Sequence, residues 1–481
     1  MKTLGKIIAA PDDLSLRQVY ADELIEAGNP RGTFIAHQLA QEQLDPLDER
    51  YAPMIASSRR LELKHRGEWL ADFLKRLKTK NTPSALRELN PIFRGGFLER
   101  IALSVDQIEE HWPWLREREP IGGIELLIYE HLPPEFRELK EPKSFRTLTL
   151  TVDGWFTANS AGNVLAWGMP LLRELDLSRA AMGFDGGVML ANGKTDLASV
   201  FEDFVDPPPF TKGQLKRLEL AGCGLTDEGV QALLAADHLT ALETLNLNSC
   251  GIADKATWAA LKKASAINAT LQRFNIGGNK VALGELAGWE ALPKLTGLAL
   301  PQSVTQAEFA KLFPKPSPKL RELDVRSAKE LMTSPERVFE AAEHFTSLHI
   351  GTTSLGEVGF ERLLASKSME TLFHLQANGC GLSDASMTAL TKSKLKRLVT
   401  LDVSSNKLTD AGLQTLMSWK GAELLTHLRI SNNRKVTLKG YEALINAKDF
   451  DPALLDVGKV SDAKAKKALA ERFGDALLIS S

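Results

Sequence analysis

Cysteine and tyrosine are scarce in this sequence, with three and four copies among 481 residues. An odd number of cysteines cannot be fully paired in disulfides, which favours reduced thiols and a cytoplasmic protein. No apolar run approaches the roughly 20 residues that cross a bilayer. Residues 1–10 have a basic start but a short apolar part interrupted by Lys6, which predicts a first helix rather than an export signal. We therefore expect a cytoplasmic protein without a membrane partner.

Charge imbalance and enzyme motifs are lacking as well. The formal net charge is only −2, so bulk charge does not favour nucleic acid as a partner. The basic run at residues 59–66 is interrupted by Glu62 and is interpreted as a solvated helix face, with an anionic partner surface as the alternative. The phosphate loop, H-E-x-x-H, G-x-S-x-G and C-x-x-C motifs are absent. We predict no catalytic residue, no cofactor and no metal ligand, and interpret Asp185, Gly186 and Gly187 as a turn rather than the alternative, a metal contact.

The three cysteines share the ninth place of one repeating pattern, L-x-x-L-x-L-x-x-C. The same frame places asparagine at the ninth place of other units. The ninth-place residues are Cys223, Cys250, Cys380, Asn279, Asn406 and Asn433. The first places of the units are Leu98, Ile121, Phe145, Leu172, Leu215, Leu242, Leu271, Leu295, Leu320, Phe345, Leu372, Leu398, Leu425 and Pro452. Twelve of the thirteen steps between them fall between 23 and 29 residues, which is the period of a solenoid.

One step is longer, at 43 residues from Leu172 to Leu215. It contains Pro207, Pro208 and Pro209, which fit neither a helix interior nor a central strand. The sequence therefore predicts an inserted surface loop at about residues 181–214.

Each place in the repeat has a physical reason. Places one, four and six point inward and places three and five point to the opposite face, because strand side chains alternate. The ninth residue lies where the chain turns inward, and a small thiol or an amide suits the backbone groups left without ladder partners. Thr226, Ser383 and Thr409, or the aspartate after each, are suited to cap a helix. We expect a parallel sheet on one side and a helix on the other side of each unit.

Residues 98 to about 475 resemble the ribonuclease-inhibitor-like and cysteine-containing leucine-rich repeats. The resemblance implies an α/β fold, a leucine-rich-repeat solenoid with a curved parallel sheet on the concave side and helices on the convex side. It further implies that the concave sheet binds another macromolecule. Serine, alanine and threonine replace the ninth-place residue at positions 303, 328 and 353, so the ladder is expected to be weaker there.

Residues 1–96 read as a small all-helical N-terminal domain that precedes a solenoid at residues 97–481. A helix is predicted from Leu14 to Ala27, then a turn at residues 29–32, then a helix to about Asp45. Residues 12–35 are similar to a bacterial repeat-companion domain, which implies a bacterial origin. We interpret Tyr20 as core and expect Arg31 to bind Asp22 or Glu26; the alternative is a partner-recognition role for Arg31 and Asp22.

Polar side chains occupy places three and five of the predicted concave face. No aromatic residue is among them, although aromatic residues and arginine dominate binding hot spots, so the arginines are the strongest candidates. The histidines are interpreted as exposed residues rather than zinc ligands, and as a hypothesis two of them protonate together below neutral pH and change partner affinity. The candidate partner-binding residues are Arg217, Glu219, Arg273, Asn275, Glu322, Asp324, His349, His374, Asp402, His427 and Arg429.

Aromatic residues elsewhere offer another contact surface. Phe201, Phe204 and Phe210 lie in the predicted inserted loop, and Trp112 and Trp114 lie near the N-terminal region; core packing is the alternative interpretation. Taken together, the sequence predicts a monomeric, non-enzymatic scaffold that binds a partner protein of unknown identity. The alternative is a regulator or inhibitor of a partner enzyme, and an enzyme without a recognisable motif is the least favoured hypothesis.

Overall fold

A computed structural model describes residues 2–78, 82–128, 141–152, 157–192, 210–280 and 283–480. The chain forms two compact units. The first contains Met1–Arg17 and Ser84–Pro301, and the second contains Gln18–Pro83 and Gln302–Ser481. Residues 1–96, predicted as one helical region, thus contribute to both units.

The first unit contains nine of the described strands. They are β1 (Ile92–Arg94), β2 (Phe97–Leu103), β3 (Gly123–Ile128), β4 (Thr147–Val152), β5 (Glu174–Asp176), β6 (Arg217–Glu219), β7 (Thr244–Asn246), β8 (Arg273–Asn275) and β9 (Gly297–Ala299). Its helices are α1 (Lys2–Ala9), the start of α2 (Leu14–Glu26), α6 (Pro83–Glu88), α7 (Val105–Arg116), α8 (Ala158–Leu165), α9 (Gly183–Asn192), α10 (Thr226–Leu234), α11 (Lys255–Lys263) and α12 (Ser265–Asn268).

The sheet of the first unit follows chain order. Strands β1 and β2 form an antiparallel hairpin whose turn contains Gly95 and Gly96 at φ 53° and 81°, a conformation that glycine adopts without steric cost. Strands β2 to β9 pair in parallel, each with the next along the chain. Equivalent repeat places face each other in this register, as in Arg217 opposite Thr244 and Glu219 opposite Asn246.

The second unit contains helices α3 (Pro30–Gln43), α4 (Tyr51–Trp69) and α5 (Ala71–Arg76) besides most of α2. Its later helices are α13 (Gln306–Leu312), α14 (Glu336–Phe339), α15 (Gly356–Ala365), α16 (Asp384–Lys392), α17 (Asp410–Ser418), α18 (Leu438–Asn446) and α19 (Ala463–Phe473). Its strands are β10 (Glu322–Asp324), β11 (Ser347–His349), β12 (His374–Gln376), β13 (Thr400–Asp402), β14 (His427–Arg429), β15 (Leu454–Gly458) and β16 (Leu477–Ile479), all paired in parallel and in chain order.

The predicted repeat frame is confirmed. Strands β3 to β15 each begin two residues after a first place, as β6 does after Leu215 and β13 after Leu398. Leu215, Leu218 and Leu220 are at most 1% exposed, which agrees with inward places one, four and six. Burying a leucine side chain stabilises the fold by about 1.5–3 kcal/mol, so the three leucines of each such repeat together contribute several kcal/mol.

Several local predictions are wrong. Residues 183–192 of the predicted inserted loop form helix α9, so Asp185, Gly186 and Gly187 lie in a helix and not in a turn. Proline begins helix α3 at Pro30, where the side chain of Asn29 accepts a hydrogen bond from the Arg31 N–H. A helix can begin at proline because the first N–H of a helix has no intrahelical partner. Residues 193–209, with Phe201, Phe204 and the three prolines, lie outside the described residues.

The predictions for the helices of the individual repeats are confirmed only in part. Ser383 and Thr409 cap α16 and α17 as expected, with their hydroxyls accepting from Ala385 N–H and Ala411 N–H. Thr226 instead begins α10 without a side-chain cap and has φ 63°. In the repeat that begins at Leu271, the described residues after β8 form no α-helix. They include two short 3-10 segments, Leu283–Leu286 and Leu292–Lys294.

Among the described helices, none has both the length and the apolar character that crossing a bilayer requires.

Candidate functional site

The ninth-place residues are structural. The thiols of Cys223, Cys250 and Cys380 each lie 3.0 Å from a carbonyl oxygen at place six of the preceding unit, those of Leu177, Leu220 and Ile350. All three cysteines are free and buried. Burial raises the pKa of Cys223 to about 12 and that of Cys250 to about 11, so the thiols stay protonated and can donate to these carbonyls. A nucleophilic cysteine requires the opposite shift.

Asparagine makes the same bond and several more. Asn279 Nδ2 donates to the carbonyl of Leu247, at place six of the preceding unit, at 2.7 Å. Its Oδ1 accepts from the N–H groups of Cys250 and Ile252 at 3.1 Å. Asn406 and Asn433 bridge neighbouring repeats in the same way. The amide thereby satisfies the backbone groups that the inward turn leaves unpaired.

Aspartates after the turn form a second bridge between neighbouring repeats, which was not predicted from the sequence. Asp384 accepts from the Thr409 N–H at 2.9 Å and from its hydroxyl at 2.6 Å. Asp410 accepts from the Thr437 N–H at 2.7 Å and from its hydroxyl at 2.6 Å. The repeated Thr/Ser-Asp pair was its sequence signal, since the hydroxyl of one unit binds the carboxylate of the unit before it.

Place five of the strands also serves the fold. Its carboxylate or amide accepts from the backbone N–H two residues later and so closes a local turn. The residues that do so are Asp176, Asn246, Asn275, Asp324, Asp402 and Asp456. Three candidate partner-binding residues, Asn275, Asp324 and Asp402, therefore have a structural role in their own loops.

The candidate residues of the first unit differ in exposure. Arg217 and Arg273 are exposed. Glu219 is buried; it accepts from Asn246 Nδ2 at 2.6 Å and pairs with Arg217 at 2.8 Å. Burial raises the pKa of Glu219, although Arg217 and the hydrogen bond from Asn246 oppose the shift. The arginines at place three are thus presented to solvent, whereas Glu219 positions Arg217 from below.

Candidate residues on β10 and β11 lie close together. His349 Nδ1 lies 3.5 Å from Asp324 Oδ2, and Arg326 pairs with the same carboxylate at 2.7 Å. Burial opposes ionisation of Asp324, but hydrogen bonds from His349 and Arg326 prevail and lower its pKa. Glu322 is half-buried on β10, while Arg429 is exposed on β14.

Helix α4 packs onto the beginnings of strands β12 to β14. Ala52, Ile55 and Ala56 of the helix form a buried cluster with Phe373 and Val399. The latter two residues occupy place two of their units. Tyr51 stacks obliquely on Phe373 with ring centroids 5.4 Å apart, and Leu424 packs against the same cluster.

Arginines fasten this contact from both sides. Arg59 of α4 donates from Nη1 to the hydroxyls of Thr400 and Thr426 at 3.0 and 3.3 Å. Arg60 donates to the carbonyls of Asp451 and Glu423. In the opposite direction, Arg397 donates to the carbonyls of Leu47, Pro46 and Asp48 before the helix. The prediction that the basic run at residues 59–66 is a solvated face is wrong for Arg59 and Arg60.

The helix changes the electrostatics of the histidines beneath it. Burial, with Arg59 nearby, lowers the pKa of His374 and of His427 to about 3. These two side chains therefore stay neutral between pH 5.5 and 8. The hypothesis that two of His349, His374 and His427 protonate together in that range is therefore wrong. Burial also raises the pKa of Glu62 to about 7, despite Arg66 and Arg59, and lowers that of Arg59 to about 10.

The contact between α4 and the sheet has a signal in the sequence, at place two of the repeat, that was not used for prediction. In most earlier units this place is polar, as in Arg173, Lys216 and Glu243. It becomes apolar at Phe373 and Val399, where α4 covers it. An apolar side chain at a place that is polar elsewhere indicates a covered edge.

Other candidates are accounted for by packing. Trp112 is 1% exposed, donates to the Ser144 hydroxyl at 3.1 Å and meets Phe145 edge-on. Phe210 lies 6.1 Å from the ring of His238. Asp22 accepts from Gln18 at 3.1 Å, and Arg31 lies 5.9 Å from the ring of Trp69. The part of the chain that the structure describes holds no group of three histidine, cysteine or carboxylate side chains arranged to bind a metal ion.

Comparison with known proteins agrees with this geometry. The leucine-rich-repeat family model matches residues 215–234 and 396–417, which contain the ninth-place residues Cys223 and Asn406 with the ladder bonds described above. The chain has the leucine-rich-repeat fold. Its parallel strands, ninth-place ladder and alternating helices form a leucine-rich-repeat solenoid of the α/β class.

The chain is similar to the ribonuclease inhibitor of Sus scrofa, with 28% identity over 272 residues. The match covers 52% of this chain and 55% of that protein, so the chain spans about half the length of the curated relative that it matches. Among solved structures, the Rad7–Elc1 complex of yeast has a TM-score of 0.45 at 16% identity, over 67% of this chain and 86% of that chain. An internalin of Listeria monocytogenes has a TM-score of 0.31 at 19% identity, over 60% and 82% of the two chains.

Proposed function

We propose that this chain is a non-enzymatic scaffold that binds a partner protein through the exposed place-three residues of its first unit, Arg217 and Arg273. The observation that supports this proposal is that places three and five of these strands have different roles. In strands β6 to β8, Asn246 and Asn275 at place five close turns and Glu219 is buried, whereas the place-three arginines of β6 and β8 project into solvent. Arginine is enriched among residues that dominate protein interfaces because its fork of donors binds carboxylates in two places at once.

The second unit supports a different role for its candidates. His374 and His427 are half-buried near Arg59 of α4, and Asp402 is buried and closes its own turn. In this proposal they maintain the fold, and Arg429, Glu322 and Asp324 are secondary contacts. The proposal further takes the protein to be cytoplasmic, bacterial and monomeric, with residues 1–96 as a companion region; the three free buried thiols support a reducing compartment.

The test compares proteins captured by three purified baits from lysate of the source organism. The baits are the natural chain, the variant R217E/R273E, and the control K212E/K263E, which carries the same charge change on exposed lysines of the first unit. We expect at least one protein on the natural and control baits to be depleted from the arginine variant. Titration of that protein, once purified, against the three chains then measures the loss. Equal capture by all three baits contradicts the assignment of Arg217 and Arg273.

The second candidate function is inhibition of a partner enzyme, and the similarity to ribonuclease inhibitor favours it. A ribonuclease assay with increasing amounts of the chain tests this directly. Inhibition by the natural chain and its loss in R217E/R273E would support the role, whereas full ribonuclease activity at a large excess of the chain argues against it for that enzyme.

A further inference from the structure

A basic cleft opens between the loops that follow strands β13 and β14. Its volume is about 670 Å³, and Ser405, Lys407, Asn432, Arg434 and Lys435 line it together with Asn406 and Leu408. The three cationic side chains are exposed. A fourth exposed cation, Lys459, follows β15 in the next loop.

The loops hold these cations in register. Ser405 N–H donates to the Ser431 carbonyl at 2.8 Å, and Thr409 and Lys435 form a parallel bridge. Neighbouring parallel strands lie about 4.8 Å apart, so Lys407 and the pair Arg434–Lys435 occupy adjacent rungs. Below them, the buried amides of Asn406 and Asn433 fix both loops to their neighbours.

Carboxylates near the cleft are engaged by the fold. Asp402 accepts from the N–H and hydroxyl of Ser404. Asp456 accepts from the Gly458 N–H, and Asp410 accepts from Thr437. Within the described residues, Lys407, Arg434 and Lys435 form no ion pair, whereas many other surface cations do, such as Lys394 with Glu370 and Arg362 with Glu336.

We propose that this cleft binds an acidic peptide segment of a partner protein through its carboxylates. Arg434 offers a fork that matches a carboxylate in two places, and Lys407 and Lys435 act as point charges on either side. Ser405 and Asn432 add neutral hydrogen-bonding groups at the rim. The cleft belongs to the second unit and Arg217 and Arg273 belong to the first, and its test does not depend on the partner of those two arginines.

A peptide fits this site better than a single-stranded nucleic acid. Sequence-tolerant binding of single strands combines cations with aromatic rings on which bases stack. The seven lining residues include no aromatic side chain. The chain as a whole carries a formal charge of −2, so the positive charge is local and suits a short acidic segment.

The experiment measures fluorescence polarisation of a labelled oligoglutamate peptide titrated with the full chain. The variant K407Q/R434Q/K435Q removes the charge of the cleft. The control K448Q/K464Q/K466Q removes the same charge from exposed lysines elsewhere in the second unit. We expect the cleft variant to weaken binding about tenfold or more and the control to bind as the natural chain does. Because the three substitutions of the variant lie on two neighbouring loops, R434Q alone is measured as well. Circular dichroism checks that each chain is folded.

Three results would overturn the proposal. The peptide fails to bind the natural chain, the cleft and control variants lose equal affinity, or an unlabelled oligouridylate displaces the peptide more effectively than unlabelled oligoglutamate does. The last result identifies the cleft as a nucleic-acid surface. A loss confined to the cleft variants, with oligoglutamate the better competitor, supports the proposal.

Discussion

Arg59 of helix α4 donates to the hydroxyl of Thr400 on strand β13 at 3.0 Å, across a sequence separation of 341 residues. The contact places a charged guanidinium over the same face that carries His374 and His427. Because an unpaired buried charge is costly, the hydroxyls of Thr400 and Thr426 are integral to the docking of the helix. The N-terminal helices are therefore part of the repeat structure in the second unit.

The neutral histidines predict acid sensitivity. The pKa of His374 and of His427 is about 3 in the folded chain against an ordinary value of 6.5. The unfolded chain therefore binds more protons as the pH falls below 6.5, and stability is lost progressively between pH 6.5 and pH 3. Urea denaturation at pH 7.5 and pH 5 is expected to show a lower free energy of unfolding at pH 5, and H374Q/H427Q is expected to reduce the difference. If the double variant keeps the full pH dependence, other groups cause it.

Glu62 acts in the opposite direction. Its pKa of about 7, against an ordinary 4.5, means that the folded chain holds its proton more strongly than the unfolded chain. The corresponding stability is present below pH 4.5 and is lost as the pH rises through 7. E62Q cannot ionise and should stabilise the chain at pH 8 by about 3 kcal/mol, with little effect at pH 5. The matched control is E68Q on the same helix, whose carboxylate is exposed and for which no such gain is expected.

The ladder amide at Asn279 predicts a large loss of stability on truncation. N279A leaves the N–H groups of Cys250 and Ile252 and the carbonyl of Leu247 without their partner. Buried backbone groups left unsatisfied cost about 1–3 kcal/mol each, so the loss of all three partners should lower the free energy of unfolding by about 3 kcal/mol or more. N446A, at an exposed asparagine at the end of helix α18, should change it by less than about 0.5 kcal/mol. Similar losses in the two variants would refute the ladder's role.

Helices α9 and α10 approach each other at two glycines. A Cβ atom at position 187 would overlap the backbone carbonyl of Gly229. Relieving this overlap requires helix α9 or helix α10 to move. G187A should therefore destabilise the chain by about 1–3 kcal/mol through overpacking, seen as a lower thermal midpoint. G284A is the control, because no atom lies within 4 Å of the added Cβ. Equal midpoints for G187A and the natural chain would show that the helices separate at little cost.

Prediction succeeded where the constraint was local and repeated. Leu215, Leu218 and Leu220 recur in each unit with the spacing that buries them, so the frame located strands β3 to β15. It failed at Asp185–Gly187, because consecutive glycines are typical of turns and their actual role, close helix packing against Gly229, depends on a distant residue. It failed again at Arg59, whose basic neighbours resemble any solvated helix face.

The amino-acid sequence alone determined the repeat period, the parallel strands, the buried leucines and the ninth-place ladder, since each depends on side-chain alternation and spacing within one unit. The tertiary structure alone decided which polar residues are presented to solvent. Arg217 and Arg273 are exposed, whereas His374 and His427 lie beneath helix α4. The reason is physical: exposure depends on what packs over a residue, and Ala52, Ile55 and Phe373 meet only after the chain has folded.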